Sequence, residues 1–414
     1  MPAKRVGITE GGLFASPTFL RLWMLGGIVN AMRWVEMLAA GLFTWQATGS
    51  GVAVSMVLAA RSLPMLCFGA FAGLACDCWN RKRVVFFGLL VSAASAASVT
   101  TLALLGEIKP WQIGMAAFVS GSIWATELPG RRRMIGEFGG VTLVSRVVAL
   151  DSLTNSLARI VGPLLGSLAY AGLGLPGAYA ISAACYLLGA LLVPGIMHTQ
   201  ATYALSVKRV ARDLAQGAIY AVRHRTVLAV LGVTVAMNLF AFSYTAIVPP
   251  LARVGFGVSE AMVGFLPACE PLGTLLGGLV LARWTPPFDP RLMLIGGSAT
   301  FLSGLALMSF MPSYGLACAV LVLGGLGLAL FSNMQTSLIL IRAPAAIRSR
   351  QMGLITACIG VAPIGQVVIG GLAEAFGPLS AVALSAATGL VGLAAIAATT
   401  GSVSPEPEHD DAEA

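Results

Sequence analysis

Five ionisable residues stand inside long apolar runs of this chain: Arg33, Glu36, Arg61, Arg159 and Glu270. A charge held away from water is costly unless it is paired or hydrated, so each is a functional candidate by position alone. A buried carboxylate whose partner can move away gains and loses a proton as its surroundings change. That chemistry makes Glu36 and Glu270 the proton-coupling candidates, with Arg33, Arg61 and Arg159 as their charge partners at membrane depth. Glu36 follows Arg33 by three positions and so shares a helical face with it. Glu36 stands about 13 residues before the turn near residue 49, and Arg61 about 11 after it, so at about 1.5 Å per residue both reach similar depth. The spacing predicts one cluster of Arg33, Glu36 and Arg61. Three Arg against two Glu leave a formal +1, a lean toward anionic cargo.

Other chemistries find little to stand on. His198, His224 and His409 lie outside the apolar runs, and no Ser-His-Asp set is in view, so no catalytic residue and no enzyme is expected. No G-x-x-x-x-G-K-[ST] loop exists, which argues against ATP drive from this chain; no cofactor is expected. Cys76-x-Cys78 has no second pair and no nearby His, so no metal site is expected. Cys67, Cys185, Cys269, Cys318 and Cys358 sit within apolar runs, which makes a disulfide framework improbable. Glu127 and Asp151, near the ends of their runs, read as gate or interface residues.

The elements that must position these groups are membrane helices. The chain has 414 residues, of which 57% are apolar and 10% charged, and a mean hydropathy of +0.87. A soluble chain carries about 25% charged residues. Apolar runs of about 20 residues recur, the length that crosses a bilayer. The fold class is an all-α polytopic membrane protein with about twelve transmembrane helices in two six-helix pseudo-symmetric bundles. The spans run about 18–47, 52–75, 84–105, 111–130, 147–171, 176–197, 226–251, 260–282, 291–311, 314–341, 351–375 and 378–398. Forty-nine glycines fit close helix approach.

The net charge of +8 is a topology signal here, not a nucleic-acid stripe. Basic residues gather on one side: Lys4 and Arg5, Arg81 to Arg83, Arg131 to Arg133, Lys208 to Arg225, Arg342 to Arg350. The other side receives Lys109 and Arg253. The bias places the first set and both termini in the cytoplasm, which requires an even number of spans. No short apolar core with a small-residue site precedes the first span, so that span is expected to direct insertion. The organisation is an N-terminal six-helix half (1–197), a central cytoplasmic loop (198–225), a C-terminal six-helix half (226–398), and an acidic tail (399–414) expected to be disordered. The halves resemble each other: "GSLAYA" at 166–171 aligns with "GGLAEA" at 370–375, Gly69 and Gly73 with Gly273 and Gly277, and Asn30 with Asn238. Weak repeats half a chain apart mark duplicated transporter folds.

The loop after the second span reads Gly73, Leu74, Ala75, Cys76, Asp77, Cys78, Trp79, Asn80, Arg81, Lys82. It resembles the Gly-x-Leu-Ala-Asp-Arg-x-Gly-Arg-Lys signature of the major facilitator superfamily, with departures at Cys76, Cys78 and Asn80. Asn80 is the type of residue that takes a positive φ, so the turn is expected to survive. "RIVGPLLGSL" in the fifth span is similar to the Gly-Pro-x-x-Gly-Gly motif of drug and proton antiporters: Gly162, Pro163 and Gly166 match, and Ser167 replaces the last Gly. The segments "NLFAFSYTAIVPPL" and "APIGQVVIGGLAEAFGP" resemble the branch of siderophore and macrolide exporters.

The resemblance implies several roles. Gly73, Asp77, Arg81 and Lys82 become a cytoplasmic latch that holds the two halves in the outward-open state. Spans one, four, seven and ten surround a cavity, so Asn30, Trp124, Asn238, Tyr244, Asn333 and Gln335 become cavity candidates. Spans five and eight face each other across the halves, so Arg159 and Glu270, at similar depth, become a charge pair. The fourth span departs from many proton-coupled members in lacking a buried Arg, because Arg131 to Arg133 follow its expected cytoplasmic end. The function implied is export of a small drug-like or siderophore-like molecule by proton antiport with alternating access. Proton-coupled import of a small organic anion, or a non-transporting receptor on the same fold, are the alternatives. The partners expected are a small-molecule substrate, protons and the bilayer of a bacterial inner membrane, without nucleic acid, for a monomer.

Overall fold

The computed structural model describes residues 13–196, 207–284 and 287–400, all helix, turn or short connection, with no strand among them. The helices are α1 (Pro17–Thr48), α2 (Gly51–Cys78), α3 (Arg81–Leu104), α4 (Pro110–Leu192), α5 (Val207–Arg223), α6 (Arg225–Ala236), the single turn α7 (Val248–Pro250), α8 (Phe265–Arg283), α9 (Pro290–Met308), α10 (Tyr314–Arg342), α11 (Ala345–Ile359), α12 (Ala362–Phe376) and α13 (Pro378–Thr400). Among the described residues, nine segments are long and apolar enough to cross a membrane. The expected stretches 18–47 and 111–130 are helical but are not among the nine, and 147–171 and 176–197 fall together in one segment, Arg146–Gly195.

α4 runs as one helical element of 83 residues but cannot be straight. Ser120 and Gly166 both touch α1 at residues 35 and 36, although 46 residues of straight helix would span about 69 Å. Arg131 and Asp151, 20 positions apart, are bonded to each other. Gly174 takes φ +66°, a conformation open to glycine without strain, and the Thr100 hydroxyl on α3 donates to Pro176 O at 3.4 Å beside it. The element therefore doubles back twice, and α1, α2 and α3 all pack against it.

The C-terminal helices pack around α8, α9, α10 and α13. Residues 225–255 do not form the single regular helix expected over 226–251. A π-type turn at Met237–Ala241, a 3-10 stretch at Phe242–Ile247 and a second π-type turn at Leu251–Gly255 interrupt it. Pro249 and Pro250 lack the N–H that a regular ladder needs. The freed carbonyl of Phe240 accepts from the Ser385 hydroxyl at 2.9 Å, which keeps the break satisfied. Likewise 351–375 is split into α11 and α12, with Pro363 just inside α12.

The central connection is not all loop. α5 occupies 207–223 and packs on α11, where the buried Gln351 side chain donates to Gly217 O at 2.9 Å. At the C-terminal end, Thr399 and Thr400 still belong to α13, and the rest of the expected acidic tail, 401–414, lies outside the described residues.

Candidate functional site

Antiparallel packing of α1 against the first part of α4 builds the first cluster. Glu36 is 4% exposed. Its Oε2 accepts from Arg61 Nη1 at 3.4 Å and from the Ser120 hydroxyl at 3.1 Å, with the Tyr186 hydroxyl beside it. One turn away, Arg33 does not join them. Its Cζ lies 4.2 Å from the ring centroid of Trp124 and 5.4 Å from that of Trp34. The expected three-residue cluster is thus a Glu36–Arg61 pair plus a separate Arg33. Trp124 stands four residues after Ser120 on α4, opposite the α1 turn that carries Arg33, and stacks on the guanidinium. Arg33, Arg61, Ser120, Trp124, Glu127 and Tyr186 line a cavity of ≈ 20 Å³.

Arg131 overturns the expectation that the fourth span lacks a buried Arg. It is 1% exposed, donates from Nε to Glu127 Oε1 at 3.0 Å, and donates from Nη1 to Asp151 Oδ1. The helix runs past residue 130 instead of ending there, so Arg131 is carried inward while Arg132 and Arg133 stay exposed. A sequence signal existed: Glu127 and Arg131 are spaced i, i+4, the pairing register of a helix. Glu127 and Asp151 are therefore the two acids of one enclosed triad.

Arg159 and Glu270 meet. Arg159 Nη2 donates to Glu270 Oε1 at 2.5 Å, joining α4 to α8. Glu270 is 2% exposed. The residues that bring the two helices together are those of the Gly-Pro motif. A Cβ on Gly162 would lie 2.6 Å from Trp34 Cβ, and one on Gly166 3.0 Å from Val35 Cα, so these glycines let α1 approach. Pro163 and Ser167 face the opposite way, toward Gly264 at the start of α8. The Ser167 hydroxyl donates to Ala261 O at 3.0 Å, so the residue that departs from the motif makes a bond of its own.

The uncharged candidates are differently placed. Asn30, Asn238 and Tyr244 are enclosed by packing in this structure. Asn238 donates to Thr234 O at 2.9 Å, Gln335 to the Thr234 hydroxyl at 2.7 Å, and Asn333 to Ala329 O at 2.8 Å. The Tyr244 hydroxyl is buried and has no partner among the described residues.

Of the latch residues, Gly73 and Asp77 lie within α2, and the Asp77 side chain is outside the described ones. Arg81 Nη1 reaches Glu137 Oε1 at 2.5 Å and Lys82 Nζ reaches Pro194 O at 2.7 Å, both on or just beyond α4. Asn80 does not take a positive φ. At φ −62° it caps α3, its side-chain oxygen accepting from Arg83 N–H at 3.2 Å. An Asn before a helix has this second use, and α3 starts at the next residue.

A set of bonds not foreseen from sequence collects where α1 ends and α2 begins. Gln46 Nε2 donates to Glu260 Oε1 at 2.5 Å and Tyr170 Oη to Gln46 Oε1 at 2.5 Å. The Ser50 hydroxyl and Val52 N–H donate to Glu374 Oε2 at 2.9 and 3.3 Å. Each repeat segment faces the start of another helix, through positions one residue apart in the alignment. Ser167, in "GSLAYA", touches the start of α8, and Gly370, in "GGLAEA", touches Gly51 and Ser55 at the start of α2.

A model of the family described as transmembrane secretion effector matches residues 12–413. The multidrug efflux pump Tap of Mycolicibacterium fortuitum is 24% identical over 81% of this chain and 85% of its own length. The enterobactin exporter EntS of Escherichia coli O1:K1 / APEC is 26% identical over 83% and 80%. Macrolide efflux protein A of Streptococcus pyogenes is 21% identical over 77% and 80%. Among solved structures, a bacterial homologue of the human lysosomal transporter Spinster, inward-facing and occupied, aligns with a TM-score of 0.73 at 14% identity over 95% of this chain and 97% of that one.

Proposed function

The chain belongs to the transmembrane secretion effector family of the major facilitator superfamily, a multi-pass membrane transporter and not an enzyme, and from that premise we propose that it exports a small organic molecule in exchange for protons. The observation that carries the reading is the Arg159–Glu270 bond, a buried acid held by a base on a separate group of helices. Protonating Glu270 weakens that bond and frees α8 to move relative to α4. Glu36, paired with Arg61 inside the N-terminal helices, is the second proton-binding group.

The layout proposed is twelve spans in two six-helix halves, 1–197 and 226–398, with both termini and the 198–225 connection in the cytoplasm. The doubling of α4 supports it, because one hydrogen-bonded element then supplies three crossings. In that topology the bonds at Gln46, Ser50, Glu260 and Glu374 lie at the outer surface, which fits an arrangement closed outward. Gly73, Asp77, Arg81 and Lys82 act as the cytoplasmic latch, and Asn30, Trp124, Asn238, Tyr244, Asn333 and Gln335 as cavity residues that open during the cycle. Relatives named for a macrolide and for enterobactin make those two the first cargos to try. In inside-out vesicles an acid interior should drive uptake of such a cargo, and adding cargo should let protons out. Cargo accumulation that ignores the pH gradient would falsify proton antiport.

A further inference from the structure

Arg33 is set apart from the other arginines that have carboxylate partners. Arg61 has Glu36, Arg159 has Glu270, and Arg131 has Glu127 and Asp151. Among the described residues Arg33 has no ion pair and no hydrogen-bond acceptor, only the two indole rings. A ring face attracts the cation but accepts none of the five N–H donors of a guanidinium in their own plane. Beside it, the Trp124 Nε1–H is buried and has no partner among the described residues. Both side chains line the ≈ 20 Å³ cavity that Arg61, Ser120 and Tyr186 complete. The cavity therefore presents donors and a positive charge, and the one carboxylate among its lining residues, Glu127, is already bonded to Arg131. Water would satisfy the donors and leave the charge unbalanced.

We propose that Arg33 and Trp124 form a site for one monovalent anionic group, either a halide ion or the carboxylate of an exported molecule. This rests on the transport reading above and names a chemical class for its cargo. The cavity has room for about one water-sized group, so it takes the charged head of a larger molecule whose remainder lies elsewhere. Arg33 supplies charge and in-plane donors, and Trp124 supplies one N–H and a flat wall.

The test uses the purified full-length protein in lipid nanodiscs, titrated separately with chloride and with benzoate at fixed ionic strength made up with sulfate. The readout is the thermal unfolding midpoint, which rises saturably with any ligand of the folded state. At least one of the two anions is expected to titrate the wild type. Arg33→Gln should weaken that titration about tenfold or more, since it removes a charged hydrogen bond. Trp124→Phe, which keeps a ring and drops the N–H, should weaken it severalfold and serves if Arg33→Gln does not fold. A chloride response alone assigns the site to a free halide, and a benzoate response assigns it to a cargo carboxylate. No saturable response to either anion, or equal titration in wild type and both variants, overturns the site. Macrolide efflux by the same wild-type protein separates the two readings. Efflux without anion titration overturns the site and leaves export standing. An Arg33-dependent titration without efflux of any cargo does the reverse.

Discussion

The N-terminal helices bury charge, and the C-terminal helices bury almost none. Within α1, α2 and α4 the buried charged groups are Glu36, Glu127, Arg131 and Asp151, with Arg33 and Arg61 half-buried beside them. In the C-terminal helices the enclosed polar groups are hydroxyls and amides, such as Thr234, Asn238 and Gln351, and Glu270 is the acid among them. Glu270 takes its partner from α4. A hydroxyl or amide keeps its hydrogen bond across the physiological pH range, whereas a carboxylate changes charge with its surroundings. One group of helices thus encloses side chains whose charge can change, and the other encloses hydrogen bonds that keep their form, with an irregular stretch at 237–247. The Arg159–Glu270 bond joins the two.

The largest effect that would sharpen this contrast is on stability. Arg131→Gln leaves Glu127 and Asp151 buried together without their cation, and breaking such a network costs about 3–5 kcal/mol. Denaturant unfolding in detergent should show it, and a loss below about 1 kcal/mol would mean that the triad is hydrated and the contrast overstated.

The next effect is on coupling. Glu36→Gln and Glu270→Gln keep shape and hydrogen bonding but cannot carry a proton. Each is expected to remove the dependence of efflux on the pH gradient while cargo binding persists. Arg159→Gln combined with Glu270→Gln should show a coupling of about 0.5–3 kcal/mol in a double-mutant cycle on transport. Additive effects would detach Glu270 from Arg159. Unchanged pH dependence in both Gln variants would move the proton site to the Glu127–Asp151 pair.

A smaller effect is expected from the neutral side. Thr234→Val removes the acceptor of the Gln335 amide and should cost about 1–2 kcal/mol of stability without altering the pH profile of transport. A shifted pH profile would show that the C-terminal helices also sense protons. The smallest effect on folding is expected at the proposed latch, at the end of α2. Asp77→Asn should insert and fold as the wild type does, while transport at equal expression falls. Wild-type efflux would remove Asp77 from the latch.

Residue pattern alone determined the class of this protein. Long apolar runs, basic loops on one side and acids stranded at membrane depth follow from the cost of charge in hydrocarbon, which acts on each segment by itself. Even the Arg159–Glu270 bond was legible once spans five and eight were set face to face, because depth along a helix is a count of residues. Lateral direction is not. Arg33 and Glu36 share a face of α1, yet Ser120 holds one and Trp124 the other, because α4 crosses α1 with those two residues a turn apart. Arg131 read as a loop cation because its burial depends on α4 running on and folding back to bring Asp151 to it. The bonds of Gln46, Ser50, Glu260 and Glu374 join residues more than 200 positions apart. Which polar group meets which, and which arginine meets indole rings instead of a carboxylate, is decided by how helices stack sideways, and that is set by the packing of the helices together.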